Sequence, residues 1–185
     1  MKNRLHVYTG DGKGKTTAAM GLALRSLGHG RRVLIAQFLK DGSSGELRAL
    51  EHLDGALVFR TQPLSGFVFR MTAEERTRAA QAQTEQALRL AEEIRQEKPA
   101  MAVLDELGEA VWLEMVTPEA ARALIDAALE CAETVVTGRD VPEWLLARAD
   151  YVSRISAERH PFQTEGLPAR EGVEWEFWQG PRRAV

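Results

Sequence analysis

Cysteine is nearly missing from this chain: Cys131 is the single one among 185 residues. One thiol cannot close an intramolecular disulfide, and it cannot build a cysteine zinc cluster. Set among Ala127-Ala128-Leu129 and Ala132, it reads as a small buried helix residue, not a nucleophile. Positive charge is not in excess either. The formal net charge is −3, and the pairs Arg31-Arg32 and Arg182-Arg183 are too short to form a basic patch, so no attraction to nucleic acid is expected. No apolar run reaches the ~18 residues of a membrane span, and no signal-peptide apolar segment precedes the first strand. The expectation is a cytoplasmic protein with neither membrane nor nucleic acid as partner. Repeats, low-complexity tracts and interdomain linkers are also lacking. With 44% hydrophobic and 28% charged residues, the composition suits one compact domain over residues 1–185.

What is present is concentrated near the N-terminus. The segment Thr9-Gly10-Asp11-Gly12-Lys13-Gly14-Lys15-Thr16-Thr17 follows the apolar run Leu5-His6-Val7-Tyr8 and opens a helical stretch beginning Ala18-Ala19-Met20. Strand, glycine loop and helix in that order make a phosphate-binding loop. The glycines let backbone N–H groups turn inward, and the free donors of the helix N-terminus aim at the same point. Lys15 adds a mobile point charge, and the Thr16 hydroxyl is placed to reach Mg²⁺. Thr9 departs from the usual pattern, standing where G-x-x-x-x-G-K-[ST] has its first glycine. A polyphosphate is the expected ligand.

Apolar runs alternate with helical stretches along the chain, which predicts an α/β fold around a mostly parallel sheet flanked by helices. The strand candidates are Leu5–Tyr8, Val33–Phe38, Ala56–Phe59, Met101–Leu104, Thr134–Val136 and Tyr151–Ile155. Helices are expected from Lys15 to about Gly28, near Gly45–Leu53, after Thr72, from Pro118 to about Ala132, and from Pro142 through Ala149. Thr72 and Glu75 form a capping box for the long helix; Ala80, Ala87, Leu88, Ala91 and Ile94 supply its apolar stripe. Residues 174–185 read as an edge strand or tail.

Ligands of open parallel sheets collect at the carboxyl ends of the strands. There the sequence places the phosphate loop, Gln37-Phe38-Leu39-Lys40, Asp105-Glu106 and Thr137-Gly138-Arg139. An acid ending a buried strand opposite the loop threonine suits Mg²⁺, held directly or through water; the sequence leaves open whether Asp105 or Glu106 approaches it. Lys13 offers either a second positive charge or a surface contact. Arg139 can meet phosphate oxygens as a fork or form an ion pair at the start of a helix. Phe67 and Phe69 lie at i, i+2 in a loop-like stretch; extended chain would put both rings on one side, over a flat apolar ligand or against the body of the protein. His160 reads as structural.

Together these segments resemble the phosphate-loop corrinoid adenosyltransferases, the cob(I)yrinic acid a,c-diamide or cob(I)alamin adenosyltransferases. The resemblance rests on Val7–Ala19, Val33–Lys40, Val103–Glu106, Thr137–Glu143, Ala149–Val152, Arg159–Phe162 and Gly166–Trp175, covering nearly the whole chain. The family's loop also carries threonine in place of the first glycine. What the resemblance implies is a RecA-like phosphate-loop domain that transfers the 5′-deoxyadenosyl group of ATP to Co(I) of a corrinoid and releases triphosphate. ATP would be held by Thr9 through Thr17 and Arg139, in a direction reversed relative to the common hydrolases. Lys15 would act in catalysis, and Mg²⁺ would be held by Thr16 with Glu106 or Asp105. Phe67 and Phe69 match an aromatic pair that lies against the corrin's lower face and excludes the lower axial ligand, which eases reduction of Co(II) to Co(I). An electron donor for that reduction is a further implied partner.

The match has departures. His160-Pro161-Phe162 runs into Gln163-Thr164-Glu165-Gly166, one residue longer than the His-Pro-aromatic-Asp-Lys-Gly of many relatives and without its lysine. Gly108 stands where some relatives carry asparagine or threonine. Trp175, Phe177 and Trp178 suit either a homodimer interface or packing on their own sheet. Rival readings are a phosphate-loop ATPase or kinase, which would release ADP and phosphate, and a nucleotide-dependent corrinoid carrier, which would bind corrinoid without forming a Co–C bond.

Overall fold

The computed structural model describes residues 2–40, 44–59, 64, 68–168, 170 and 172–173. Six strands form one sheet: β1 (Leu5–Thr9), β2 (Val33–Gln37), β3 (Ala56–Phe59), β4 (Met101–Asp105), β5 (Glu133–Thr137) and β6 (Tyr151–Arg154), in the order β3-β2-β4-β5-β1-β6. All pairings among the described residues are parallel. The strand positions follow the sequence-based expectation to within a residue at each end, and β3 coincides with it.

The helices are α1 (Lys15–Gly28), α2 (Gly45–Leu50), α3 (Ala73–Glu97), α4 (Leu107–Trp112), α5 (Pro118–Cys131), α6 (Glu143–Arg148) and α7 (Pro161–Glu165). Successive side chains of a strand point to opposite faces, so the central strands feed two cores. Val33, Ile35, Met101 and Val103 pack with Ala19, Met20, Ala23 and Leu27 of α1. Leu34, Ala36, Ala102 and Leu104 pack beneath α3 and α5, with Leu90, Ile94, Leu124 and Ile125. Every residue of β2 and of β4 is buried.

Helix ends follow local chemistry. The Thr72–Glu75 capping box is formed in both directions, Thr72 N donating to Glu75 Oε2 at 2.8 Å and Glu75 N to Thr72 Oγ1 at 3.2 Å. Pro118 occupies the first turn of α5, capped by Thr117. The apolar stripe of α3 differs from expectation at one position. Leu88 is 47% exposed, because the buried face runs through Gln83, Gln86, Ala87, Leu90, Ala91 and Ile94; a step from 87 to 88 turns the side chain ~100° away. Cys131 is half-buried at the end of α5, its thiol pushed up in pKa by burial first and by Glu130 second.

Three elements lack a sequence-based counterpart: α4, α7 and a 3₁₀ turn at Val68–Arg70. The 3₁₀ turn corrects the expectation of extended chain around Phe69, since eclipsed i, i+3 geometry there replaces the alternation that would align i and i+2. Phe67 lies outside the described residues, as do the edge strand or tail expected at 174–185 and its Trp175, Phe177 and Trp178.

Candidate active site

The loop from Thr9 to Gly14 leaves the end of β1 and turns into α1. Two close approaches require its glycines. Gly10, at φ 108°, lies against the Ile155 carbonyl that follows β6, leaving no room for a Cβ. A Cβ on Gly12 would stand 2.7 Å from the Ser156 backbone carbon, and the Gly12 N–H donates to Ile155 O at 2.8 Å. The chain after β6 thus forms one wall of the loop. The other wall comes from β5: the Thr9 hydroxyl donates to Arg139 O at 2.9 Å and Gly10 N donates to the same carbonyl at 3.1 Å. Thr9 therefore has work to do where the common pattern has glycine. Gly14, at φ 120°, caps α1 without a side chain. The first-turn N–H groups of α1 accordingly face the loop's concave side, the arrangement that attracts anions.

Lys15 reaches back over this loop, donating to Gly10 O at 2.6 Å and Gly12 O at 2.8 Å. Its pKa is lowered, by burial first and by the positive charge of Arg139 second; Glu109, Glu106 and Asp11 act in the opposite sense. Arg139 is exposed at the rim. Two cations that repel each other beside the N-terminus of α1 form a site whose electrostatics improve when a polyanion enters. Asp11, Lys13 and Thr17 are exposed on the same loop. Asp11 Oδ1 accepts from Ala157 N at 3.4 Å, a long contact that ties the loop again to the chain after β6.

The next residue, Thr16, reaches a buried polar cluster around Asp105, whose side chain is fully buried. Asp105 Oδ1 accepts from Thr16 Oγ1 at 2.9 Å and from Thr137 Oγ1 at 2.7 Å. Oδ2 accepts from Gln37 Nε2 at 3.0 Å and has Lys40 Nζ at 3.4 Å. Three strand ends, those of β2, β4 and β5, and the first turn of α1 meet at one carboxylate. A buried anion is stable only with such partners, and removing any one leaves a strong acceptor underused.

Glu106 differs from its neighbour. It adopts a left-handed conformation, φ 60°, as the residue preceding α4, and its N–H donates to Thr137 Oγ1 at 2.8 Å. A non-glycine residue held there is strained, and such strain gathers at functional sites. Its carboxylate is about one-third exposed, 3.9 Å from Lys40. The tight junction between α4 and the loop after β5 explains Gly108: a Cβ there would stand 2.8 Å from a Val141 methyl and 3.1 Å from Thr137 O. Glu109 Oε2 accepts from Asp140 N at 2.8 Å and holds the loop that carries Arg139.

The structure thus brings together the phosphate loop, Lys15, Thr16, Asp105, Glu106 and Arg139. It adds Gln37, Lys40, Thr137 and Glu109, for which the sequence reading offered position at a strand end or nothing. Phe69 is 78% exposed, and the Arg70 guanidinium stands 5.6 Å from its ring. His160 is structural, its Nδ1 accepting from Phe162 N at 3.2 Å to cap α7. No helix among the described residues is long and apolar enough to cross a membrane.

Comparison with known proteins gives a consistent result. The family model described as ATP:corrinoid adenosyltransferase BtuR/CobO/CobP matches residues 1–175. The corrinoid adenosyltransferase of Sinorhizobium sp is 34% identical over 178 residues, covering 94% of this chain and 81% of that one. The corrinoid adenosyltransferase CobA of Salmonella typhimurium is 32% identical over 171 residues, covering 91% of this chain and 84% of that one. Among solved structures, AMPPCP-bound DnaA from Aquifex aeolicus covers 92% of this chain with 48% of its own length, at 12% identity and a TM-score of 0.44.

Proposed function

The chain belongs to the ATP:corrinoid adenosyltransferase family, and on that premise we propose how its phosphate-loop site carries out the transfer. The observation that carries the reading is the 2.9 Å hydrogen bond from Thr16 to the buried Asp105, which joins the anion-binding loop to the acid at the end of β4.

The reaction joins Co(I) of the corrinoid to C5′ of ATP. The cobalt supplies the electron pair, the C5′–O bond breaks, and triphosphate leaves. No side chain is needed as nucleophile, so the protein contributes position and charge stabilisation. Within the loop Thr9–Thr17, the amides from Lys13 onward at the N-terminus of α1 would bind the triphosphate, since Gly10 and Gly12 give their N–H groups to the walls. Lys15 would exchange its two loop carbonyls for phosphate oxygens, which are stronger acceptors. Arg139 would close the rim over the same anion, relieving its repulsion with Lys15.

The donors at the β4 end fit Mg²⁺. They are hard oxygens, a threonine hydroxyl and carboxylates, the set that suits this ion. Thr16 and Glu106 would hold it, with Asp105 orienting the Thr16 hydroxyl from below; bound there, the ion would neutralise charge developing on the leaving triphosphate. Phe67 and Phe69 would cover the lower face of the corrin. We further propose a cytoplasmic homodimer served by a separate electron donor that delivers Co(I).

An anaerobic assay with chemically reduced corrinoid, Mg²⁺ and ATP tests the reading. Light-sensitive adenosylcorrinoid should appear together with triphosphate. ADP and phosphate without a Co–C bond would mark an ATPase instead, and tight corrinoid binding without either product would mark a carrier.

A further inference from the structure

Lys40 is placed by its backbone as well as by its charge. Leu39 adopts a left-handed conformation, φ 58°, immediately after β2, and its N–H points to Gln83 Oε1 of α3 at 3.4 Å. Leu64 N reaches the Lys40 carbonyl at 3.5 Å. The chain therefore turns sharply at the carboxyl end of β2 and sends Lys40 across to β4, the adjacent strand in the sheet. Its side chain is 17% exposed, with the ammonium 3.4 Å from Asp105 Oδ2 and 3.9 Å from Glu106 Oε1. A partly buried cation on a flexible stem thus stands between the two acids at the strand end.

We infer that Lys40 is the resident counter-ion of this acid pair, holding it against divalent cations until a nucleotide arrives, so that metal enters with the triphosphate and not before. The inference rests on the proposal that Thr16 and Glu106 hold Mg²⁺. Two adjacent carboxylates at the strand end would otherwise attract a divalent cation on their own. A divalent ion in reach of both carboxylates would lie within several ångströms of the Lys40 ammonium, and like charges at that range repel strongly in a partly buried site. Triphosphate changes the balance. Its negative charges accommodate the metal and the ammonium together, and Lys40 can follow Glu106 or turn to a phosphate oxygen. Lysine suits this role better than arginine would for Asp105 alone, because its single charged centre on a flexible stem can leave one partner for another.

Equilibrium dialysis of Mn²⁺ at fixed ionic strength, with every ATP arm set against the same Mn²⁺ and ATP without protein, tests the inference on the full chain without any turnover. Wild type should bind Mn²⁺ weakly alone and strongly with ATP. Lys40→Met should bind Mn²⁺ alone at least about tenfold more tightly than wild type. Lys40→Arg, which keeps the charge, should stay with wild type, and Glu106→Gln added to Lys40→Met should remove the gain. Should Lys40→Met fail to fold, Lys40→Gln carries the same expectation, since its amide still reaches toward Asp105. Unchanged Mn²⁺ affinity in these charge-removing variants, with Mn²⁺ still held in the presence of ATP, would overturn the role of Lys40 and leave the metal site standing. Absence of bound Mn²⁺ even with ATP would overturn both.

Discussion

The β4 end of the cleft and the segment that carries Phe69 are built from opposite materials. At Asp105, hydroxyls from Thr16 and Thr137, the Gln37 amide and the Lys40 ammonium converge on one fully buried carboxylate. At Phe69, a short 3₁₀ turn holds an aromatic ring that is 78% exposed. The first region has its dipoles fixed before any ligand binds, which is what makes charge stabilisation effective at the moment of reaction. The second is covered little by its own fold, so a large apolar acceptor would gain by covering it. Under the proposed function, triphosphate would meet preorganised polar groups and the corrinoid a surface that binding itself completes.

The sharpest test of the rigid side is Lys15→Ala. Removing its charge from among the loop amides should lower adenosyl transfer at least about 10³-fold. Circular dichroism and thermal unfolding should stay close to wild type, because Lys15 is a half-buried residue at the first position of α1, outside both cores. Retained transfer would remove the phosphate loop from the mechanism.

Asp105→Ala should reveal that this side is structural as well as catalytic. It leaves two hydroxyls, an amide and an ammonium without their common acceptor. Breaking such a buried charged network typically costs about 3–5 kcal/mol, measurable by urea unfolding. A variant as stable as wild type would show that the network is held by its surroundings and not by the carboxylate.

The contrast also explains what the amino-acid sequence could disclose. The phosphate loop is local: Gly10 to Thr17 are contiguous, and their spacing alone implies amides, a lysine and a hydroxyl around one anion. The strands are local too, since runs such as Val33-Leu34-Ile35-Ala36 announce burial on both faces. The Asp105 cluster is different. Gln37, Lys40 and Thr137 become its partners only because β2 and β5 flank β4, and strand order is not written in any one segment. The helix Leu107–Trp112 was missed for a related reason. It begins at a left-handed Glu106 without a side-chain cap, a start no propensity rule would favour, and the fold supports it through the close approach of Gly108 to Thr137 and Val141. At Phe69 the i, i+2 argument presumed extended chain, and a turn of three residues undid it.

On the exposed side, Phe69→Ala alone should leave stability within about 0.5 kcal/mol, because that ring is 78% exposed; the transfer test replaces Phe67 with alanine as well. Turnover starting from Co(II) should fall far more than turnover from chemically reduced Co(I), because the rings are proposed to act on the axial ligand and not on the transfer. Equal losses in the two assays would dissolve the division of labour between the regions.

The smallest effect should come from the far end of the sheet, away from the site altogether. Asp150, just before β6, accepts from Leu5 N at 2.9 Å and from Arg4 Nη1 at 2.7 Å. Its pKa is lowered from 3.8, by the Leu5 backbone hydrogen bond first and the Arg4 side chain next. A carboxylate whose folded pKa is depressed stabilises the fold above its unfolded pKa, and that contribution is lost as pH falls through the folded value. Asp150→Asn should therefore unfold at slightly lower temperature than wild type near neutral pH, with the gap closing in the acid range below 3.8. Adenosyl transfer should be unaffected, since the Arg4–Asp150 contact joins the beginnings of β1 and β6 whereas the phosphate loop leaves the other end of β1. A loss of transfer in Asp150→Asn would mean that the two ends of the sheet are mechanically coupled, and that the rigidity credited to the Asp105 cluster depends on strand β6 as well.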